Sequence, residues 1–252
     1  MHPKSAEIKL TVTDSQVERA LASLPLPADS DRWQIFFCED VSRGVSAATP
    51  LLDVGVVLRA RKKANDPDDS TIKLRPCRRS QLTNRWLAAQ DVDGFKMEAD
   101  WAGTRKVLAA SYTADLGKRR LDDVRDGAEE VASLFTEEQS SFLAACSVVP
   151  VNLDAVTLLP PVAAVRWKPF HEPLADRTCD LRAERWTVDG LDFLELSIVA
   201  EIDEAAPVQA AFESFVRSRG LAVEDNQETK TRRVLEHLVG KDTSPRAGRP
   251  TG

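Results

Sequence analysis

The chain has 252 residues, 42% of them apolar, and a formal net charge of −6 at pH 7. That charge argues against a general nucleic-acid binder, whose usual footprint is a basic excess, but it leaves room for a local basic site. No apolar run of about 18 residues is present to cross a membrane. No charged-then-apolar leader with a small-residue cleavage site is seen, so no signal peptide is indicated, and the four scattered cysteines make a reduced, cytoplasmic home the expectation. The four cysteines form no CxxC pair and only three histidines are present, which weakens any zinc or redox-motif reading.

In chain order, Ser5–Thr13 alternates Ile8, Leu10 and Val12 with Glu7, Lys9 and Thr11, the period of a half-buried strand. Asp14 is placed to cap a helix carrying Val17, Ala20, Leu21 and Leu24, ended by Pro25 and Pro27. Strands follow around Gln34–Cys38, Gly55–Lys63 and Ser70–Pro76. The last two read as a hairpin across the turn-forming Asn65–Ser70. Phe95–Trp101 is a fifth strand, with KVLAASY as its continuation.

From Arg120 to Cys146 the pattern changes to helical, with a break near Phe135 and a capping box on Thr136 and Gln139. A second β section holds Ala163–Phe170, Thr178–Val188 and Leu191–Ile202, the last two joined by an Asp189-Gly190 hairpin turn. Pro207 sits in the first turn of a helix ending at Gly220, and Thr229–Val239 is a final helix. Strands and helices in this order predict an α+β fold rather than a βαβ one. A disordered tail is expected over 241–252.

One face of these strands is charged: Glu7 and Lys9; Arg59 and Arg61; Lys73 and Arg75; Lys96, Glu98 and Asp100; Arg166 and Lys168; Asp180, Arg182 and Glu184; Glu195, Ser197 and Glu201. The opposite face is apolar. Two architectures explain this. Either the charges face water, or the sheet closes with charges inside and helices covering the apolar exterior. A barrel of about eight strands has room for one small ligand. Basic residues crowded in one lumen repel unless an anion or facing carboxylates compensate. Guanidinium forks match phosphate oxygens, and carboxylates suit a hard cation such as Mg2+ or Mn2+.

These residues resemble the CYTH superfamily, the triphosphate tunnel metalloenzymes, which include class IV adenylyl cyclases, thiamine triphosphatases and inorganic triphosphatases. Ser5-Ala6-Glu7-Ile8-Lys9 is similar to that family's Glu-x-Glu-x-Lys, with Ser5 in place of the first Glu. Leu58-Arg59-Ala60-Arg61, Thr71-Ile72-Lys73, Lys96-Met97-Glu98 and Arg166-Trp167-Lys168 resemble its later strands. Glu195-Leu196-Ser197 resembles a Glu-x-Glu with Ser197 replacing the second acid, and Lys230 matches a lysine near a late helix. Phe36-Phe37-Cys38 lacks the Asp of the family's Tyr-Phe-Asp.

The resemblance implies an antiparallel eight-stranded β-barrel, or tunnel, with a polar interior covered by helices. It implies one domain over 1–240 with a helical insertion at about 115–147. Phosphate oxygens would be bound by Lys9, Arg59, Arg61, Lys73, Arg166, Lys168 and Lys230. Mg2+ or Mn2+ would be held by Glu7, Glu98, Glu195 and Glu201, with Glu7 and Lys9 as catalytic residues. The expected ligand is a triphosphate compound or polyphosphate, with no nucleic acid and no membrane, and a homodimer is left open. Metal-dependent hydrolysis is the leading expectation. Because Ser5 and Ser197 each remove an acid, a tunnel that binds or senses its ligand without turnover is the alternative. Alternatives also stay open for single residues. Arg59 or Arg61 could pair with Glu98 or Glu195, Lys230 could be solvated, Arg75, Arg78 and Arg79 could form a surface patch, and Asp180, Arg182 and Glu184 could line a lumen or face water.

Overall fold

The computed structural model describes residues 3–41, 49–89, 92–174, 177–223 and 229–242. Its strands are β1 (Ser5–Thr13), β2 (Ser30–Glu39), β3 (Val56–Lys63), β4 (Asp69–Cys77), β5 (Phe95–Ala102), β6 (Arg105–Asp115), β7 (Thr157–Leu158), β8 (Val162–Trp167), β9 (Phe170–Leu174), β10 (Arg177–Val188) and β11 (Leu191–Glu201). Its helices are α1 (Ser15–Ser23), α2 (Pro50–Asp53), α3 (Asn84–Ala88), α4 (Arg120–Arg125), α5 (Glu137–Cys146), α6 (Ala205–Ser218) and α7 (Lys230–Asp242).

Nine strands close into a barrel in the order β1-β5-β6-β4-β3-β2-β8-β10-β11, with β11 pairing back onto β1. Eight strands were expected. The ninth is β6, whose KVLAASY is the hairpin partner of β5 and not its continuation. Ala102 pairs with Arg105 across a Gly103-Thr104 turn, and Gly103 sits at φ 58. Gly at the first turn position is a weaker signal than Asp-Gly. Where Asp189-Gly190 occurs, both residues take positive φ, 48 and 87, and the predicted hairpin forms. All the barrel pairs are antiparallel except β1 with β5, which run parallel.

The apolar strand faces point outward and are roofed by helices. Ile8, Leu10, Leu194, Leu196 and Ile198 pack under α1 and α6 with Val17, Val208, Phe212 and Val216. On the other side Phe36, Leu58, Ile72 and Leu74 pack under α3, α4 and α5 with Trp86, Leu121, Phe142 and Leu143. An all-round apolar exterior demands such covers, since a bare patch of that size would associate. A third apolar body lies inside the barrel. There Val234, Leu235, Leu238 and Val239 of α7 meet Trp33, Ile35, Phe37, Trp186 and Phe193, so α7 stoppers one end.

The helices between Arg120 and Cys146 follow their sequence closely. Thr136 and Gln139 form the predicted capping box, and the chain breaks at Phe135 as expected. Gln139, fully buried, also accepts from the Ser70 hydroxyl (3.0 Å) and donates to the carbonyls of Ser70 (3.0 Å) and Tyr112 (3.1 Å). Gln139→Ala strands these groups without water, so urea unfolding should show a loss of about 2–4 kcal/mol; a loss below ~0.5 would mean the helix is held by apolar packing alone. Asp14 precedes α1 at φ 53 and makes no side-chain cap. Lys241 and Asp242 extend α7, and the tail expected beyond them, 243–252, lies outside the described residues.

Candidate functional site

The barrel encloses a cavity of about 280 Å³. Of the predicted residues, Glu7, Lys9, Arg59, Arg61, Lys73, Glu98, Arg166, Glu195 and Lys230 all line it. Two do not. β8 stops at Trp167, because Pro169 brings no backbone N–H to a ladder. Lys168 therefore leaves the barrel and pairs with Asp31 at 3.0 Å on the exterior. Glu201 keeps the inward register but stands exposed at the end of β11, opposite Ser5, and lines a different cleft.

The strands also bring residues that the sequence placed on charged faces but not in the site: Arg75, Lys96, Arg182 and Glu184, with Thr71, Thr113 and Trp186 between them. Among the described residues, nine Lys and Arg line the cavity against four Glu. Lys230 is 5% exposed rather than solvated. It bridges Glu184 (2.9 Å) and Glu195 (3.1 Å), and its ammonium lies 3.9 Å from the centre of the Trp186 ring.

Asp100 is the residue the sequence reading undervalued. It is fully buried just behind the cavity wall. Lys9 (2.7 Å), Arg75 (3.1 Å), Lys73 (3.5 Å) and Arg105 (3.4 Å) all converge on it. Burial raises its pKa, but Lys9, Arg75 and Lys73 outweigh burial and hold it well below the ordinary carboxylate range. Its neighbour across the parallel pair, Glu7, lies 2.8 Å from Lys9. There too burial is overcome, by Lys9 and Lys73, and the pKa falls to about 2. Glu184 reaches about 2 in the same way, with Lys230, Arg166 and Arg59 opposing burial.

Each of the four lining carboxylates already has a Lys partner: Glu7 with Lys9, Glu98 with Lys73 (3.2 Å), Glu184 and Glu195 with Lys230. Three guanidiniums are different. Among the described residues, Arg59, Arg166 and Arg182 form no ion pair. Arg59 reaches only the Thr71 hydroxyl, at 3.4 Å, and its Nε is buried without a hydrogen-bond partner. Burial and the neighbouring Arg61 pull its pKa down to about 10. Arg166 and Arg61 lie 4.9 and 5.0 Å from the Trp33 ring centre, so the indole fixes both. Paired acids and unpaired guanidiniums leave the lumen positive.

Carboxylate oxygens of Glu7, Glu98 and Asp100 lie within 4.8 Å of one another. An all-oxygen donor set of this size fits a hard divalent cation, and the cluster can hold one. Glu195 faces Lys230 instead, and Glu201 is outside.

The geometry defines a helix-roofed β-tunnel with a cationic interior. No protein-family model matches the chain, and no curated protein matches it in sequence. Solved structures do. A Hippeastrum protein, a candidate adenylyl cyclase described as having a dominant triphosphatase activity, superimposes with TM-score 0.58 at 15% identity over 92% of this chain and 95% of its own. A candidate adenylate cyclase from Bacillus halodurans gives TM-score 0.58 at 14% identity over 91% of this chain and 98% of its own. The chain shares its overall fold with these two structures. Among the described residues no helix is long and apolar enough to cross a membrane.

Proposed function

We propose that the tunnel binds the triphosphate group of a small molecule, or inorganic triphosphate itself, and hydrolyses it. The observation that carries this reading is Arg59: a guanidinium lining the cavity that, among the described residues, has no carboxylate within ion-pair distance and has an orphaned Nε. A buried charge without a partner is costly, and a phosphate oxygen supplies the missing one. Lys9, Arg61, Lys73, Arg166 and Lys230 surround the same space. They neutralise the charge that builds on the leaving diphosphate when water bonds to the terminal phosphorus and the bridging P–O bond breaks. Glu7, 2.8 Å from Lys9, keeps that ammonium protonated and in place. A Mg2+ or Mn2+ ion held by Glu7, Glu98 and Asp100 would supply polarisation of the phosphoryl oxygens.

A second reading is favoured by one observation, the prior pairing of all four lining acids with lysines. In it the tunnel binds the anion and does not turn it over. Phosphate release from inorganic triphosphate, ATP and thiamine triphosphate, with Mg2+ and with Mn2+, separates the two. Release supports hydrolysis. Binding without release selects the second reading, and neither binding nor release removes both. Arg59→Ala should weaken triphosphate binding about 30- to 100-fold, the effect of truncating one charged hydrogen-bonding partner; an unchanged Kd in calorimetry would place Arg59 outside the ligand's path.

A further inference from the structure

Three inward residues stand side by side across three strands: Lys9 on β1, Ser197 on β11 and Arg182 on β10. Ser197 is the register partner of both others. Directly opposed residues on one face bring their Cβ atoms to about 4.5–5.5 Å, so an ammonium and a guanidinium flank a hydroxyl. All three line the cavity. Ser197 is 8% exposed, and Arg182 has no ion-pair partner among the described residues. The neighbouring row is built oppositely. There Glu195 opposes Glu184, and Lys230 bridges the two.

We infer that the Lys9–Ser197–Arg182 row is an anion subsite that takes a phosphoryl group directly, without an intervening divalent cation. The row offers five guanidinium donors, an ammonium and a hydroxyl, and no acceptor that an anion would have to displace except Glu7 and Asp100 on Lys9. Arg182 reaches the row from the side opposite Lys9 and also lines the cleft lined by Arg177 and Glu201, so the subsite lies where the tunnel meets that cleft. Arg182 is then a substrate-binding residue. The subsite rests on the reading of the tunnel as a triphosphate binder, and it adds that binding precedes and does not need the metal.

Calorimetric titration of the full chain with inorganic triphosphate, in EDTA and in Mg2+, tests this. The wild-type chain should bind in EDTA. Arg182→Ala should weaken that binding about 10- to 100-fold. Ser197→Glu, which puts a carboxylate between the two cations, should weaken it at least as much, while the neutral isostere Ser197→Gln should change it by less than about 5-fold. Near-ultraviolet spectra confirm that each variant is folded. Binding only when Mg2+ is present, or an unchanged affinity in Arg182→Ala, overturns the subsite while leaving an Arg59-dependent tunnel standing. Equal losses in the Glu and Gln variants would reduce Ser197 to a steric effect and overturn it too. No binding in either buffer removes the subsite and the proposed function together.

Discussion

Asp100→Ala should be the most damaging single substitution in the barrel, lowering stability by about 3–5 kcal/mol, because removing one partner leaves the other buried charges uncompensated. Four cations, Lys9, Lys73, Arg75 and Arg105, converge on this one fully buried carboxylate. Deleting it leaves them facing each other across a lumen already rich in positive charge, where like charges at short range repel. The loss should be recoverable. Inorganic triphosphate or high phosphate would supply the missing negative charge, so the urea midpoint of the variant should rise with added anion more steeply than that of the wild type. An Asp100→Ala chain within ~1 kcal/mol of wild type, or one indifferent to anions, would show that water penetrates to these cations and that the cluster is not a closed electrostatic unit.

How much of this was readable from the sequence depends on period and parity. The charged strand faces followed from alternation alone, and closure into a tunnel turned those faces inward as a set. This is why eight of the predicted residues, all on strands, meet in one cavity. The failures are equally local. Lys168 has the right parity, but Pro169 ends its strand one residue earlier. Glu201 has the right parity on a strand that outruns the cavity. β6 was hidden because a Gly-Thr turn carries little signal. Asp100 and Arg182 were on the charged faces, yet nothing in one sequence says that Asp100 meets Arg75 and Arg105, or that Arg182 lies beside Lys9. Those contacts depend on the β5–β6–β4 pairing and on the β11 register. Nor does the sequence show that Lys230, on a helix, enters the barrel, since that follows from α7 burying Val234, Leu235 and Leu238 inside it.

Lys230→Ala carries the second large effect, and its pH dependence identifies the cause. In the wild type, burial opposes ionisation of Glu184, but Lys230, Arg166 and Arg59 overcome it and set the pKa at about 2. A carboxylate whose folded pKa lies below its unfolded value stabilises the fold above the unfolded pKa, near 4.5, and loses that contribution as pH falls toward 2. Glu7, also at about 2, acts in the same window and the same direction. Wild-type stability should therefore fall from about pH 4.5 downward.

Without Lys230, Glu184 and Glu195 remain as register partners on the lumen wall with no ammonium between them. Like charges at this range prevent both from ionising, so one pKa rises above the unfolded value. The sign then reverses for that group: a raised carboxylate pKa destabilises at high pH and is relieved as pH falls through it. The variant should lose about 3 kcal/mol at pH 7, the scale of breaking a buried ion pair. The deficit should shrink between about pH 7 and 5, above the window in which Glu184 and Glu7 titrate in the wild type. Urea midpoints across pH 3–8 for both chains decide it. A deficit that does not vary with pH would assign the loss to the Trp186 contact and to unseating of α7, and would mean that Lys230 does not set the charge of the Glu184–Glu195 pair.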